Sequence, residues 1–189
     1  EWITSYLRSK DLTIGNKSSA MLTEFLGSDL SKIAGELDKL SIIASKGSEI
    51  TDELIEENIG ISKEYNNFEL QDAILNKDFL KANKIIKYFE SNPKKNPLVV
   101  TLSVLYNLFS KLLIYHGLKD KNPKCVAQSL GVNPYFVKDY QKGAQNYSLK
   151  KSVKALDVIR ITDVKSKGYN NPSTSDADLL KELIFKICY

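Results

Sequence analysis

Few residues in this chain can do chemistry, and their spacing decides what they can do. The single histidine, His116, ends an apolar stretch and has no Cys, His, Asp or Glu at metal-ligand or triad spacing. Packing or helix capping is role enough for it. Cys125 and Cys188 are far apart and unaccompanied. They read as reduced thiols in or near a core, and the compartment as cytoplasmic. Gly15-Asn16-Lys17-Ser18-Ser19 has the last part of a GxxxxGK phosphate loop. It lacks the first glycine and follows no clear strand, so a turn and an N-cap fit better. Glu53, Glu56 and Glu57 fall on a solvated helix face, as do Glu36 and Asp38. The expectation is no catalytic residue, no cofactor, no metal, and a fragment that is not itself an enzyme.

Two basic features remain. Lys94-Lys95 sit in a loop between prolines, and Lys165-Ser166-Lys167-Gly168-Tyr169 form a helix end and a turn. Lysines at a helix C-terminus suit the dipole, which is a sufficient structural reason for them. Lys165 and Lys167 can also hold phosphates, and the Tyr169 ring can stack on an exposed base.

The elements that carry these residues are almost all helical. Ser18 or Ser19 caps a short helix with Met21, Leu22, Phe25 and Leu26 on one side. Ser28 caps the next, in which Leu30, Ile33, Ala34, Leu37, Leu40 and Ala44 make a buried stripe, Asp29 lies in the first turn, and Gly47 is the stop. Lys32 and Glu36 are four apart on its exposed side. Thr51 caps a helix over 52–59, and the Leu12–Ile14 and Glu49-Ile50 stretches are linkers or short extended pieces. A helical hairpin turns at residues 76–78. Pro97 opens a central apolar helix to about residue 117. Pro123 and Pro134 open two short helices. Ser148 caps a long one with Leu149, Val153, Leu156, Ile159 and Val164 inward, and Ser175 or Asp176 caps the last. No apolar run approaches the roughly 18–20 residues of a membrane span.

Composition agrees with a globular chain: 189 residues, 42% hydrophobic and 26% charged. Charge is uneven. Residues 1–62 hold 6 Lys+Arg and 11 Asp+Glu, and residues 63–189 hold 21 and 12. The polar stretch ISKEYNN marks the boundary, so the expected organisation is all-α, a small three- or four-helix unit over 1–62 and a larger bundle over 63–189. The basic half is compatible with nucleic acid nearby. The chain starts inside a helix without an initiator methionine, as a piece of a longer protein would.

The stretch GSDLSKIAGELDKLSIIASKGSEITDELIEENIG resembles the helical lid of AAA+ proteins as found in clamp-loader subunits. Its pattern is carried by Gly27, Asp29, Leu30, Glu36, Leu37, Lys39, Leu40, Ile50, Thr51 and Ile55. ISKEYNNFELQDAILNKDFLKANKIIKYF and the final DVKSKGYNNPSTSDADLLKELIFKIC resemble the start and end of the collar domain in the delta-subunit family of bacterial DNA polymerase III. NNFEL, the NPKKNP loop and SKG are similar to the Bacteroidetes branch. The resemblance implies a lid followed by a collar, with nearly all of an N-terminal ATPase-like domain missing. It implies a non-catalytic subunit of a complex that is a DNA-directed DNA polymerase, a nucleotidyltransferase. Its partners would be gamma/tau- and delta-prime-type loader subunits through the collar, the sliding clamp only through the missing domain, primer–template DNA in the full complex, and no membrane. It also places Lys165, Lys167 and Tyr169 loosely in a region where the collar approaches DNA. Two other readings of the helices remain open: an adaptor domain that binds a protein without DNA, and the lid of a true AAA+ ATPase.

Overall fold

The computed structural model describes residues 1–27, 29–171 and 173–188. Among these residues there are eleven α-helices, one 3-10 turn and two two-residue strands. The fold is all-α. The chain divides into two compact units, Glu1–Phe68 and Glu69–Tyr189.

Unit 1 holds α1 (Trp2–Arg8), β1 (Thr13–Ile14), α2 (Asn16–Leu26), α3 (Leu30–Ile43), β2 (Glu49–Ile50) and α4 (Asp52–Ile59). Its core gathers Leu7, Met21, Leu22, Ile33, Leu37, Leu40, Ile50 and Ile55, all buried. Each such side chain contributes about 1.5–3 kcal/mol by leaving water. The two extended pieces pair in parallel, Thr13 with Glu49 and Ile14 with Ile50. That pairing closes the unit by joining the ends of segments 35 residues apart.

Several local expectations are corrected here. α2 starts at Asn16 with Gly15 as its cap. Ser18 is inside the helix and donates to Asp52 Oδ1 at 2.5 Å. Ser28 lies outside the described residues, and the cap of α3 is Asp29, whose carboxylate accepts from the backbone of Ser31 and Lys32. Leu30 is 52% exposed rather than part of the buried stripe. α3 ends at Ile43, four residues before Gly47, because Ala44 turns extended. The Gly47 N–H then donates to Asp11 O at 2.8 Å in the approach to β2. Glu36 pairs with Lys39 at 2.8 Å instead of with Lys32.

Unit 2 takes α5 (Asn67–Asn76, entered from the end of unit 1), α6 (Phe79–Ser91), α7 (Leu98–Gly117), α8 (Pro123–Leu130), a 3-10 turn (Pro134–Phe136), α9 (Val137–Asn146), α10 (Leu149–Ser166) and α11 (Asp176–Cys188). α7 is central: α8, α9, α10 and α11 all pack on it. By length and composition it could cross a bilayer, being 20 residues long with an 18-residue stretch of mean hydropathy 1.7, so the expectation of no such run does not hold. The polar breaks at Thr101, Ser103, Asn107, Ser110 and Lys111 do not lower that mean enough. Its Leu98, Leu102, Leu105, Leu108, Phe109 and Leu112 are buried in the core of the unit.

Tyr147, between α9 and α10, locks the centre. Its ring meets Phe109 edge-on at 5.3 Å and its hydroxyl donates to Ile74 O at 3.1 Å. Its carbonyl accepts from His116 Nε2 at 2.8 Å, so the only histidine is a packing residue. Of the stripe expected on α10, Ile159 is buried and Leu156 and Val164 are half-buried, but its first two members are not inward. Ser152, Ala155, Ile159 and Thr162 are buried, whereas Leu149 and Val153 are exposed. Ser152 and Ala155 let the first half of α10 lie close along α7, while Leu149 and Val153 are turned away.

Candidate functional site

Lys165, Lys167 and Tyr169 come together on one turn at the C-terminal end of α10. The turn is a Schellman closure: the Gly168 N–H donates to Lys165 O at 2.9 Å and the Tyr169 N–H to Val164 O at 3.3 Å, with Gly168 at φ 86°. Asn171 braces the following loop, donating to Lys165 O and Thr174 O and accepting from the Thr174 N–H. The backbone of the turn is therefore fixed, and Tyr169 is held 68% exposed with its ring free to meet a flat partner.

The charges of the turn are already engaged. Lys167 Nζ lies 2.6 Å from Asp163 Oδ2, and Lys165 Nζ lies 3.4 Å from Glu182 Oε1 on α11. Lys186, first, and Lys165 hold the Glu182 carboxyl below its ordinary range. A phosphate at this turn must compete with two carboxylates, so the turn is a weaker anion site than its sequence suggests. Surface pairs of this kind are worth about 0–1 kcal/mol, which a multiply charged phosphate backbone can displace.

The other singled-out residues lie in unit 1, on α3. Leu37 and Leu40 are fully buried. Asp29 caps the helix, Leu30 stands exposed, and Glu36 and Lys39 form a surface pair. On the same unit Asp38 accepts from the Tyr6 hydroxyl at 2.8 Å and from Lys10 Nζ at 2.7 Å. Lys10, then Tyr6, hold the Asp38 carboxyl below the usual range. These groups tie α3 to α1 and carry no convergent set for catalysis.

Among the described residues no group of three His, Cys, Asp or Glu side chains could hold a metal. The Cys188 thiol is pushed up to about 11, chiefly by burial, so it is a poor nucleophile at neutral pH. What the exposed groups of the α10 turn offer is association, through charge and ring stacking.

Reading the residues one by one missed the surface best suited to that. Val99, Tyr106 and Ile114 on α7 and Leu149 and Val153 on α10 are 45–58% exposed. On α7 the row Val99, Ser103, Tyr106, Ser110, Leu113 advances in steps of four and three, the spacing of a helix that receives another helix. The signal was present in that spacing, but α7 is apolar nearly all round and its outward row does not stand out.

Known proteins bear on what could cover these rows. The family described as DNA polymerase III delta subunit, C-terminal domain, matches residues 64–184. Among solved structures, the DNA clamp loader delta protein YqeN of Bacillus subtilis matches with a TM-score of 0.66 at 20% sequence identity, over 99% of this chain and 54% of that one. The chain thus spans about half the length of that protein. No curated protein matches by sequence.

Proposed function

Because the chain belongs to the family of the DNA polymerase III delta subunit, C-terminal domain, we propose that it is the non-catalytic, assembly-forming part of a clamp-loader delta subunit. On this reading unit 1 is the AAA+-type lid and unit 2 the collar. Unit 2 packs beside gamma/tau- and delta-prime-type subunits in the cytoplasm, and the complex opens a sliding clamp and places it on primed DNA. The clamp itself is met by the part of the family's proteins that precedes this chain. Lys165, Lys167 and Tyr169 approach the primer–template.

The observation that carries this reading is the uncovered apolar row on α7 within the span matched to the family. Val99, Tyr106 and Ile114, left in water along one side of a central helix, are the kind of apolar surface that a neighbouring subunit buries. The test is to mix the purified chain with gamma/tau- and delta-prime-type subunits at micromolar concentration and to run size exclusion. Co-elution is expected. Separate peaks, for this chain and for the full-length subunit alike, defeat the loader reading and leave a helical adaptor in its place.

A further inference from the structure

Residues 122–146 form a second surface that the assembly reading does not use. α8 is capped by Asn122, whose side chain accepts from the Lys124 N–H at 3.1 Å, and opens with Pro123. It ends at Gly131, which takes φ 61°. The Val132 N–H then donates to Ala127 O at 3.0 Å and closes the turn. An L side chain pays strain at that φ, so glycine suits the position. Asn133 caps the 3-10 turn through the Tyr135 N–H at 2.9 Å, and α9 follows at once. Val126, Ala127 and Leu130 of α8 are buried, as are Val137, Tyr140 and Gly143 of α9, and both helices rest on α7. Two short helices, joined over 131–136 by a glycine turn and a 3-10 turn and resting on a third helix, make an extended-turn version of a helix-turn-helix.

The outward face of the 3-10 turn and α9 has the matching chemistry. Tyr135, Lys138, Lys142 and Gln145 follow one another at steps of three and four and are exposed. Residues 118–146 hold five lysines, Lys119, Lys121, Lys124, Lys138 and Lys142, against Asp120 and Asp139. Lys121 is committed to Tyr115, over whose ring it lies at 3.9 Å. Lys119, Lys124 and Lys138 form no ion pair among the described residues. Lys142 is close enough to Asp139 to attract it, without a direct contact. This is the contrast with Lys165 and Lys167, which are both held by carboxylates. Lys119, Lys124 and Lys138 leave their full charge for phosphates, and Lys142 is only loosely held by Asp139. Tyr135, 60% exposed at the head of the helix, adds a group that can reach a sugar or a base edge.

We propose that α8, the turn and α9 form a helix-turn-helix that seats α9 in the major groove of duplex DNA, with Lys138 and Lys142 on phosphates and Tyr135 leading. The B-form major groove, about 12 Å wide, admits a helix. The deep, narrow major groove of an RNA duplex does not. The surface needs no partner subunit, so its failure leaves the assembly reading intact, and the failure of assembly leaves this one intact.

The test is fluorescence anisotropy of the 189-residue chain with a labelled DNA duplex and with the RNA duplex of the same sequence. It is run at salt between about 50 and 200 mM, where non-specific Kd values lie near 10⁻⁴–10⁻⁶ M or tighter. Binding to DNA, at least about fivefold tighter than to RNA, is expected. Lys138→Glu with Lys142→Glu should weaken DNA binding at least about tenfold and lower the salt slope by about 2. Lys84→Glu with Lys87→Glu on α6 makes the same change in net charge and should cost no more than about twofold. Circular-dichroism melting checks that each variant is folded, and the Lys138→Gln, Lys142→Gln pair repeats the test if the glutamate pair melts early. No binding, equal binding to RNA, or equal losses from the α6 and α9 pairs overturns the proposal.

Discussion

Tyr169 and Asp38 show how far a single side chain's sequence context defines it. Tyr169 was readable as an exposed ring after a glycine turn, and it stands exposed. The partners of Lys165 and Lys167 were partly readable: Asp163 is four residues from Lys167, but Glu182 reaches Lys165 only through the packing of α11 on α10. If the turn meets primed DNA, Lys165→Ala, Lys167→Ala and Tyr169→Ala together weaken the reconstituted loader's affinity and lower its salt slope by about 1–2. Unchanged affinity at two salt concentrations removes these residues as contacts. Asp38 gives a pH prediction. Its carboxyl is held down in the folded state by Lys10 first and Tyr6 second. Its contribution is therefore present above the ordinary Asp range, about 3.9, and is lost as pH falls through the lowered folded value. Asp38→Asn should melt below the wild type at neutral pH, and the gap should close as the pH drops below about 4. A gap that stays constant from pH 7 to about 3 contradicts this assignment.

At the scale of elements, existence was legible and orientation was less so. Thr51 and Ser148 mark their helices because a side-chain oxygen beside an apolar run satisfies the free N–H groups at a helix start, and the structure adds Asp78 and Asn122 in the same role. The start of the α10 stripe, Leu149 and Val153, is exposed for a physical reason. Close packing on α7 selects Ser152, Ala155 and Thr162 for their size, and a search for large apolar residues passes over them. The parallel pair of β1 and β2 was not legible because two residues carry no alternation to detect. Gly143 marks another close approach. A Cβ there would lie 2.3 Å from Leu75 Cδ2 and 3.3 Å from Leu112 Cδ2. Both leucines are buried and cannot swing into solvent. Gly143→Ala should destabilise the protein by about 1–3 kcal/mol through overpacking, read as a lower urea midpoint at unchanged m. A midpoint equal to the wild type would show that the α9 contact is slack.

At the scale of the whole molecule, the acidic first third and basic remainder were visible in the sequence. The family of residues 64–184 was visible as a resemblance and is shown by the match to its described domain. Which face of α7 stays exposed was not visible, because the helix is apolar nearly all round. Val99, Tyr106 and Ile114 remain in water on α7, and a subunit that assembles through this helix should lose assembly when that row is charged while keeping its fold.

The most direct measurement is sedimentation velocity of this chain with gamma/tau- and delta-prime-type loader subunits, comparing the wild type with Val99→Glu, Tyr106→Glu. A faster-sedimenting complex that forms with the wild type and is lost with the folded double variant is the predicted result. Free sedimentation of the wild-type chain at micromolar concentration, or a complex that the double variant forms equally well, would contradict the proposed assembly through α7.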